Sequence, residues 1–244
     1  MKQTRFFATL SVATGMLFLS ACNSGTDKKA DEKTADTATV KMETLPTTNP
    51  SGPMSTMIVR ARIANYAKWK MAYDSHDSTR LANGLHSYVV ARGTADSNML
   101  LVAMIMDDVN KAKAFAASKD LKDRMKESGV VGPPSVMDFL EAVMNDTTAI
   151  QATVRVMVRH KVKDWDAWKK SFDTHKQARV DAGLTDRVVS HTAGDTHNVT
   201  LVFAVSDMGK AKAFMNSQDL KDKMKEAGVE GPPDFFFYKI AAKY

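Results

Sequence analysis

Cysteine is almost missing from this chain. Cys22 is the single one in 244 residues, so no disulfide can form within it and stability must come from burial. A large charge surplus is missing too. The formal charge is +6, and Lys2 and Arg5 supply two of those units, which gives no reason to expect nucleic acid as a partner. Long apolar runs are confined to residues 6–19, a stretch too short and too rich in small residues for a membrane-spanning helix. The chain has no glycine-rich phosphate loop, no dinucleotide fingerprint, no HExxH and no serine or cysteine nucleophile motif. Asp74-x-His76 and Asp173-x-His175 look like metal pairs, but residues two apart on a helix point about 200° apart and cannot share one ion. No metal and no cofactor is expected.

What is present begins with an address. Lys2 and Arg5 precede the apolar stretch, which ends in Leu19-Ser20-Ala21-Cys22. This resembles the signal peptide and lipobox of bacterial lipoproteins, which implies lipidation of Cys22, a membrane anchor and a place in the cell envelope. An ordinary signal peptide with a chance cysteine is the alternative. Residues 22–54 interleave lysines with aspartates and glutamates and show no apolar period, so they read as a disordered tether. A flexible coil of that length spans roughly 30 Å.

The most informative feature is a repeat. Residues 57–143 recur at 156–242, offset by 99 without a gap. Lys111-Ala-Lys-Ala-Phe115 returns as Lys210-Ala-Lys-Ala-Phe214, and Gly132-Pro133-Pro134 returns as Gly231-Pro232-Pro233. Each copy (55–144 and 153–244) reads strand, helix, strand, strand, helix, strand. The first strands, 56–64 and 154–163, alternate with a period of two. First helices are expected at 66–83 and 165–182, capped by Asn65 and Asp164 and ended by Gly84 and Gly183. Ser118 and Ser217 mark a break in the second helical region, and Gly-Pro-Pro should stop it before last strands at 136–143 and 235–241. Two such α+β, ferredoxin-like βαββαβ units can close their open sheet faces on each other within one chain, giving a monomeric pseudo-dimer.

The pattern Trp-x3-(Tyr/Phe)-Asp-x-His-x3-Arg-x3-Gly, the Lys-Ala-Phe segment and Gly-Pro-Pro resemble the dimeric α+β barrel superfamily. More narrowly they are similar to its antibiotic-biosynthesis-monooxygenase-like and cyclase-like members. The resemblance covers nearly all of 55–244 and implies the barrel fold, and with it cofactor-independent monooxygenase-like chemistry or plain binding. Haem-degrading relatives ligate iron through a histidine on the second helix. Residues 108–118 and 207–217 carry none, so haem is not carried over.

Two constellations are candidate sites. Trp69, Tyr73, His76 and Arg80 fall within an arc of about 60° on one helix, and Trp168, Phe172, His175 and Arg179 repeat it. As a functional site this is a cleft with His76 and His175 as acid–base groups and Arg80 and Arg179 holding an anion. As structure it is an aromatic stripe anchoring the helix, with the arginine laid over its end. Separately, Arg60 and Arg159 should face the barrel interior and approach each other near the pseudo-axis, where they could grip a carboxylate or phosphate, unless local acids such as Asp138 or Glu141 claim them. The Phe235–Tyr238 run sends aromatics to both faces, so one or two could line a cavity. His86, His160, His191 and His197 each occur in one copy only and default to surface or satisfied core. The expected function is binding of a small hydrophobic or anionic molecule. A monooxygenase-like enzyme and a non-catalytic envelope scaffold are the alternatives.

Overall fold

The computed structural model describes residues 54–244. The leader, Cys22 and nearly all of the tether lie outside the described residues. The first repeat consists of β1 (Met54–Ile63), α1 (Tyr66–Ser75), α2 (Asp77–Ala82), β2 (Leu85–Gly93), β3 (Met99–Met106), α3 (Val109–Ala117), α4 (Lys119–Glu127) and β4 (Val130–Asn145). The second has the same order: β5 (Val154–Val162), α5 (Trp165–Thr174), α6 (Lys176–Asp181), β6 (Leu184–Thr192), β7 (Asp195–Val205), α7 (Met208–Asn216), α8 (Gln218–Glu226) and β8 (Val229–Lys243).

The strands close into one barrel in the order β1-β3-β2-β8-β5-β7-β6-β4, every neighbour antiparallel. The seams between repeats are β2–β8 and β4–β6, so each repeat lends its last strand to the other's second strand. Because neighbours alternate in direction, β1 and β5 run the same way. The pseudo-twofold axis therefore follows the barrel, and equivalent residues of both repeats reach the same mouth.

Alternation along the strands sorts the side chains. Met57, Val59, Ala61 and Ile63 pack outward with Trp69, Phe115 and their neighbours. Val156, Val158 and Val162 do the same with Trp168. Ile58, Leu101, Leu140, Met157 and Tyr238 fill the interior. At about 25 cal/mol per Å2 of apolar surface, these three layers supply the burial that a disulfide-free chain needs.

The caps form as their residues dictate. The Asn65 side chain accepts from the Lys68 amide at 2.9 Å, and Asp164 and the two serines act alike. Gly84 and Gly183 take φ values of +68° and +73° at the helix ends, where a Cβ would be strained.

Two expectations need correction. The long first helix is broken in both repeats, at His76 and His175. The cause lies four residues further on. Arg80 Nη1 donates to the Tyr73 carbonyl at 2.6 Å and Arg179 Nη1 to the Phe172 carbonyl at 2.6 Å. Each guanidinium shares a carbonyl of the last helical turn with the capping amide of His76 or His175, and the first helix ends there. Second, Gly-Pro-Pro does not precede the last strand but lies within it. The register jumps from Arg60↔Val136 to Arg62↔Val131, and from Arg159↔Asp234 to Lys161↔Glu230. The prolines, which have no N–H for the ladder, sit in the excursion between those pairs.

Candidate functional site

Each repeat forms a cleft between its helices and the outer face of its sheet. The first, of about 110 Å3, is lined by Trp69, Tyr73, His76 and Arg80 together with Arg124. The second, of about 100 Å3, is lined by Trp168, Phe172, His175 and Arg179 together with His160. The sequence stripe thus does converge on one cleft per repeat. The rings form a stack: Trp69 lies 5.0 Å from Tyr73, with the Arg80 guanidinium 3.7 Å over the Tyr73 ring. Trp168 lies 5.2 Å from Phe172, with Arg179 3.6 Å over it.

The two arginines are committed to protein acceptors rather than held for an anion. Arg179 grips Asp186 through Nε and Nη2, both at 2.8 Å, and this pair is nearly buried. Arg80 reaches Asp77 at 2.9 Å and Ser87 Oγ at 3.2 Å. The first repeat carries its carboxylate on α2 and a serine on the sheet. In the second repeat the sheet position is Asp186 and the helix position Lys176. The neutralising charge moved, and the arginine stayed. The Tyr73 hydroxyl, absent from Phe172, is likewise occupied by Ser87 Oγ at 2.8 Å.

The histidines separate the clefts. His76 contacts the Ala72 carbonyl through Nδ1 at 2.5 Å and Arg124 through Nε2, which fixes Nδ1 as donor and Nε2 as acceptor. His175 has Lys223 in place of that arginine, and its imidazole makes no hydrogen bond among the described residues. His160 was expected to be a satisfied or surface residue and is neither. It is 9% exposed, on β5 in the outward apolar row, and neither ring nitrogen has a hydrogen-bond partner among the described residues. Burial lowers its pKa from 6.5 to about 4, so it is neutral at physiological pH. Its ring lies 5.5 Å from that of Trp168. The matching residue of the first repeat is Ala61. The signal was legible in the sequence as a histidine breaking the row Val156, Val158, Val162. His86, His191 and His197 are each satisfied, by Asp107, the Thr192 carbonyl and the Val162 carbonyl.

Inside the barrel, Arg60 and Arg159 are each claimed by a carboxylate, as the alternative reading of the sequence allowed. Arg60 pairs with Asp234 at 2.9 Å and Arg159 with Asp138 at 2.6 Å, each with a carboxylate of the other repeat. Thr192 adds a hydroxyl to Asp138 at 3.0 Å. These pairs close one end of the barrel. Partly burying two arginines is tolerable because each has its own counter-ion. Towards the other end lies an interior cavity of about 160 Å3 with Arg155, Arg187, Tyr88 and Tyr238 in its wall. The sequence reading singled out neither Arg155 nor Arg187. Among the described residues no group of three or more His, Cys, Asp or Glu side chains is placed to hold a metal ion.

No protein-family model matches this chain, and no curated protein matches it in sequence. Solved structures do match in fold. An anthrone oxidase-like protein aligns with 12% identity and a TM-score of 0.51, over 78% of this chain and 92% of its own. A protein provisionally named a chlorite dismutase aligns with 10% identity and a TM-score of 0.50, over 79% and 96%. A provisionally named monooxygenase from Lactobacillus acidophilus aligns with 11% identity and a TM-score of 0.45, over 78% and 95%. At such identities the likeness establishes fold alone. The described chain is a closed α+β barrel, with both halves supplied by one polypeptide.

Proposed function

We propose that this protein is a lipid-anchored envelope protein that binds a small, largely apolar molecule carrying one hydrogen-bonding group, in the helix–sheet cleft of its second repeat. The observation that carries the reading is His160: a neutral imidazole, nine-tenths buried, with both nitrogens unpaired on the floor of an aromatic cleft. A buried polar group without a partner costs roughly 1–3 kcal/mol. A ligand hydroxyl that displaced the groups now covering the His160 nitrogens would recover that cost, and Trp168 and Phe172 would cover the ligand's apolar faces. An apolar cavity of about 150 Å3 accepts benzene. The second cleft is smaller but partly open to solvent, so a single ring fits best. Titration calorimetry of the full chain with phenol and with its isostere toluene tests this. Phenol should bind about tenfold tighter, and His160→Leu should erase the difference. Equal affinities in the wild type would refute it, and binding of neither would leave a scaffold role as the better account.

The low basicity of His160 argues for recognition rather than proton abstraction, since a general base works best with a pKa near the operating pH. His175 favours a second reading. Its uncommitted imidazole faces the same cleft and would serve a cofactor-independent monooxygenase-like enzyme as acid–base group. Oxygen uptake with a phenolic substrate and no added cofactor, lost in His175→Gln, would support that activity; no uptake would remove it.

The anchoring part of the proposal rests on the leader and on Cys22 being the single thiol. Feeding cells an alkyne-tagged fatty acid should label the protein, and Cys22→Ala should abolish the label. Labelling that survives the substitution would overturn it.

A further inference from the structure

The interior cavity is a separate site from the clefts, on the opposite face of the sheet. Its shaft is apolar, lined by Ile58, Leu101, Leu140, Met157, Val202 and Ile240. Its far end is closed by the Arg60–Asp234 and Arg159–Asp138 pairs, with the Phe236 ring packed beneath Arg60 at 5.3 Å. The open end is different in kind. Arg155, Arg187, Lys243, Tyr88 and Tyr238 stand there beside one acid, Asp146.

The charge balance at this mouth is uneven. Asp146 is already taken by Arg187 at 3.0 Å, and Arg187 also holds Thr148, which pins the connector between the repeats. Arg155 donates only to the backbone carbonyls of Ala152 and Val154, at 2.5 and 3.0 Å, and no carboxylate pairs with it among the described residues. Tyr238 is 5% exposed and its hydroxyl makes no hydrogen bond among the described residues, although a buried phenol normally finds a partner. Arg155, Arg187, Tyr88 and Tyr238 also lie within electrostatic reach of one another. The cavity therefore joins one unneutralised guanidinium and an unused phenol donor to an apolar shaft. The first repeat has Thr56 where Arg155 stands, so the pseudo-symmetry does not require this charge.

We propose that the barrel interior binds a monocarboxylate with a short apolar tail. The carboxylate lies against Arg155 and accepts from the Tyr238 hydroxyl, and the tail enters the shaft. An unpaired guanidinium beside a phenol donor suits a planar carboxylate. A cavity of this size takes a tail of about six carbons.

The test is calorimetric titration of the full chain with hexanoate and with hexanol. Hexanoate should bind about tenfold or more tightly than hexanol, and Arg155→Gln should remove that advantage while hexanol binding stays as it was. Tyr238→Phe, which deletes a single oxygen, should weaken hexanoate severalfold without lowering the melting temperature, so the proposal remains testable if the arginine variant fails to fold. Saturating phenol should leave hexanoate binding unchanged, because the cleft is a different site. The proposal fails if hexanoate does not bind, if it binds no better than hexanol, if Tyr238→Phe binds it as the wild type does, or if phenol displaces it. None of these results depends on whether the cleft binds its own ligand.

Discussion

His160 sets the chemistry at the scale of single residues. Its pKa falls from 6.5 to about 4 on folding because burial disfavours the imidazolium. The sign of the linkage follows. Above about pH 6.5 the ring is neutral in both states and the fold keeps its full stability. Between 6.5 and 4 the unfolded chain takes up a proton that the folded chain refuses, so stability falls as pH falls. The shift corresponds to an order of 3 kcal/mol. Chemical denaturation of the wild type and His160→Leu at pH 7 and pH 4.5 should show a smaller acid loss in the variant. An identical loss in both would mean that His160 is not held neutral by burial. The histidine itself was visible as an intruder in an apolar row. Its lack of partners was not, because its surroundings include β7 and β8, distant in sequence.

Among the elements, the broken first helix shows what local patterning misses. Caps at Asn65, Asp164, Ser118 and Ser217 depend on residues within three positions and were legible. The breaks at His76 and His175 depend on where Arg80 and Arg179 fold back, and that is decided by partners on the sheet. The two repeats solve the problem with unequal strength. Asp186→Ala leaves a buried arginine without its carboxylate and should cost about 3–5 kcal/mol. Ser87→Ala removes a neutral acceptor from Arg80 and the partner of the Tyr73 hydroxyl while Asp77 still pairs with Arg80, and should cost about 1–2 kcal/mol. Urea denaturation of both variants measures the difference, and equal losses would contradict the unequal roles assigned to these two sheet residues.

For the whole molecule, the gapless repeat and period-two strands were enough to anticipate closure of two βαββαβ units, and the seams β2–β8 and β4–β6 carry it out. Interior pairing was less legible. That Arg60 would choose Asp234 and Arg159 would choose Asp138 depends on how far each strand is sheared around the barrel, which alternation does not specify. Closure has a consequence for the parts. Residues 54–145 alone would leave the edges of β2 and β4 unpaired. Sedimentation velocity of that fragment should show a dimer in which each copy supplies the other's missing seams. A stable, folded monomer would mean that the second repeat is dispensable to the first.

The central claim, that the second cleft is built around an unpaired neutral imidazole awaiting a ligand hydroxyl, is tested most directly by the ring nitrogens themselves. Nuclear magnetic resonance of the full chain labelled with 15N-histidine, titrated with phenol, should move a His160 ring nitrogen in the direction of hydrogen bonding and leave His76 in place. Toluene should produce no such shift. A His160 nitrogen that ignores phenol, or that is already hydrogen-bonded in the free protein, would contradict the account.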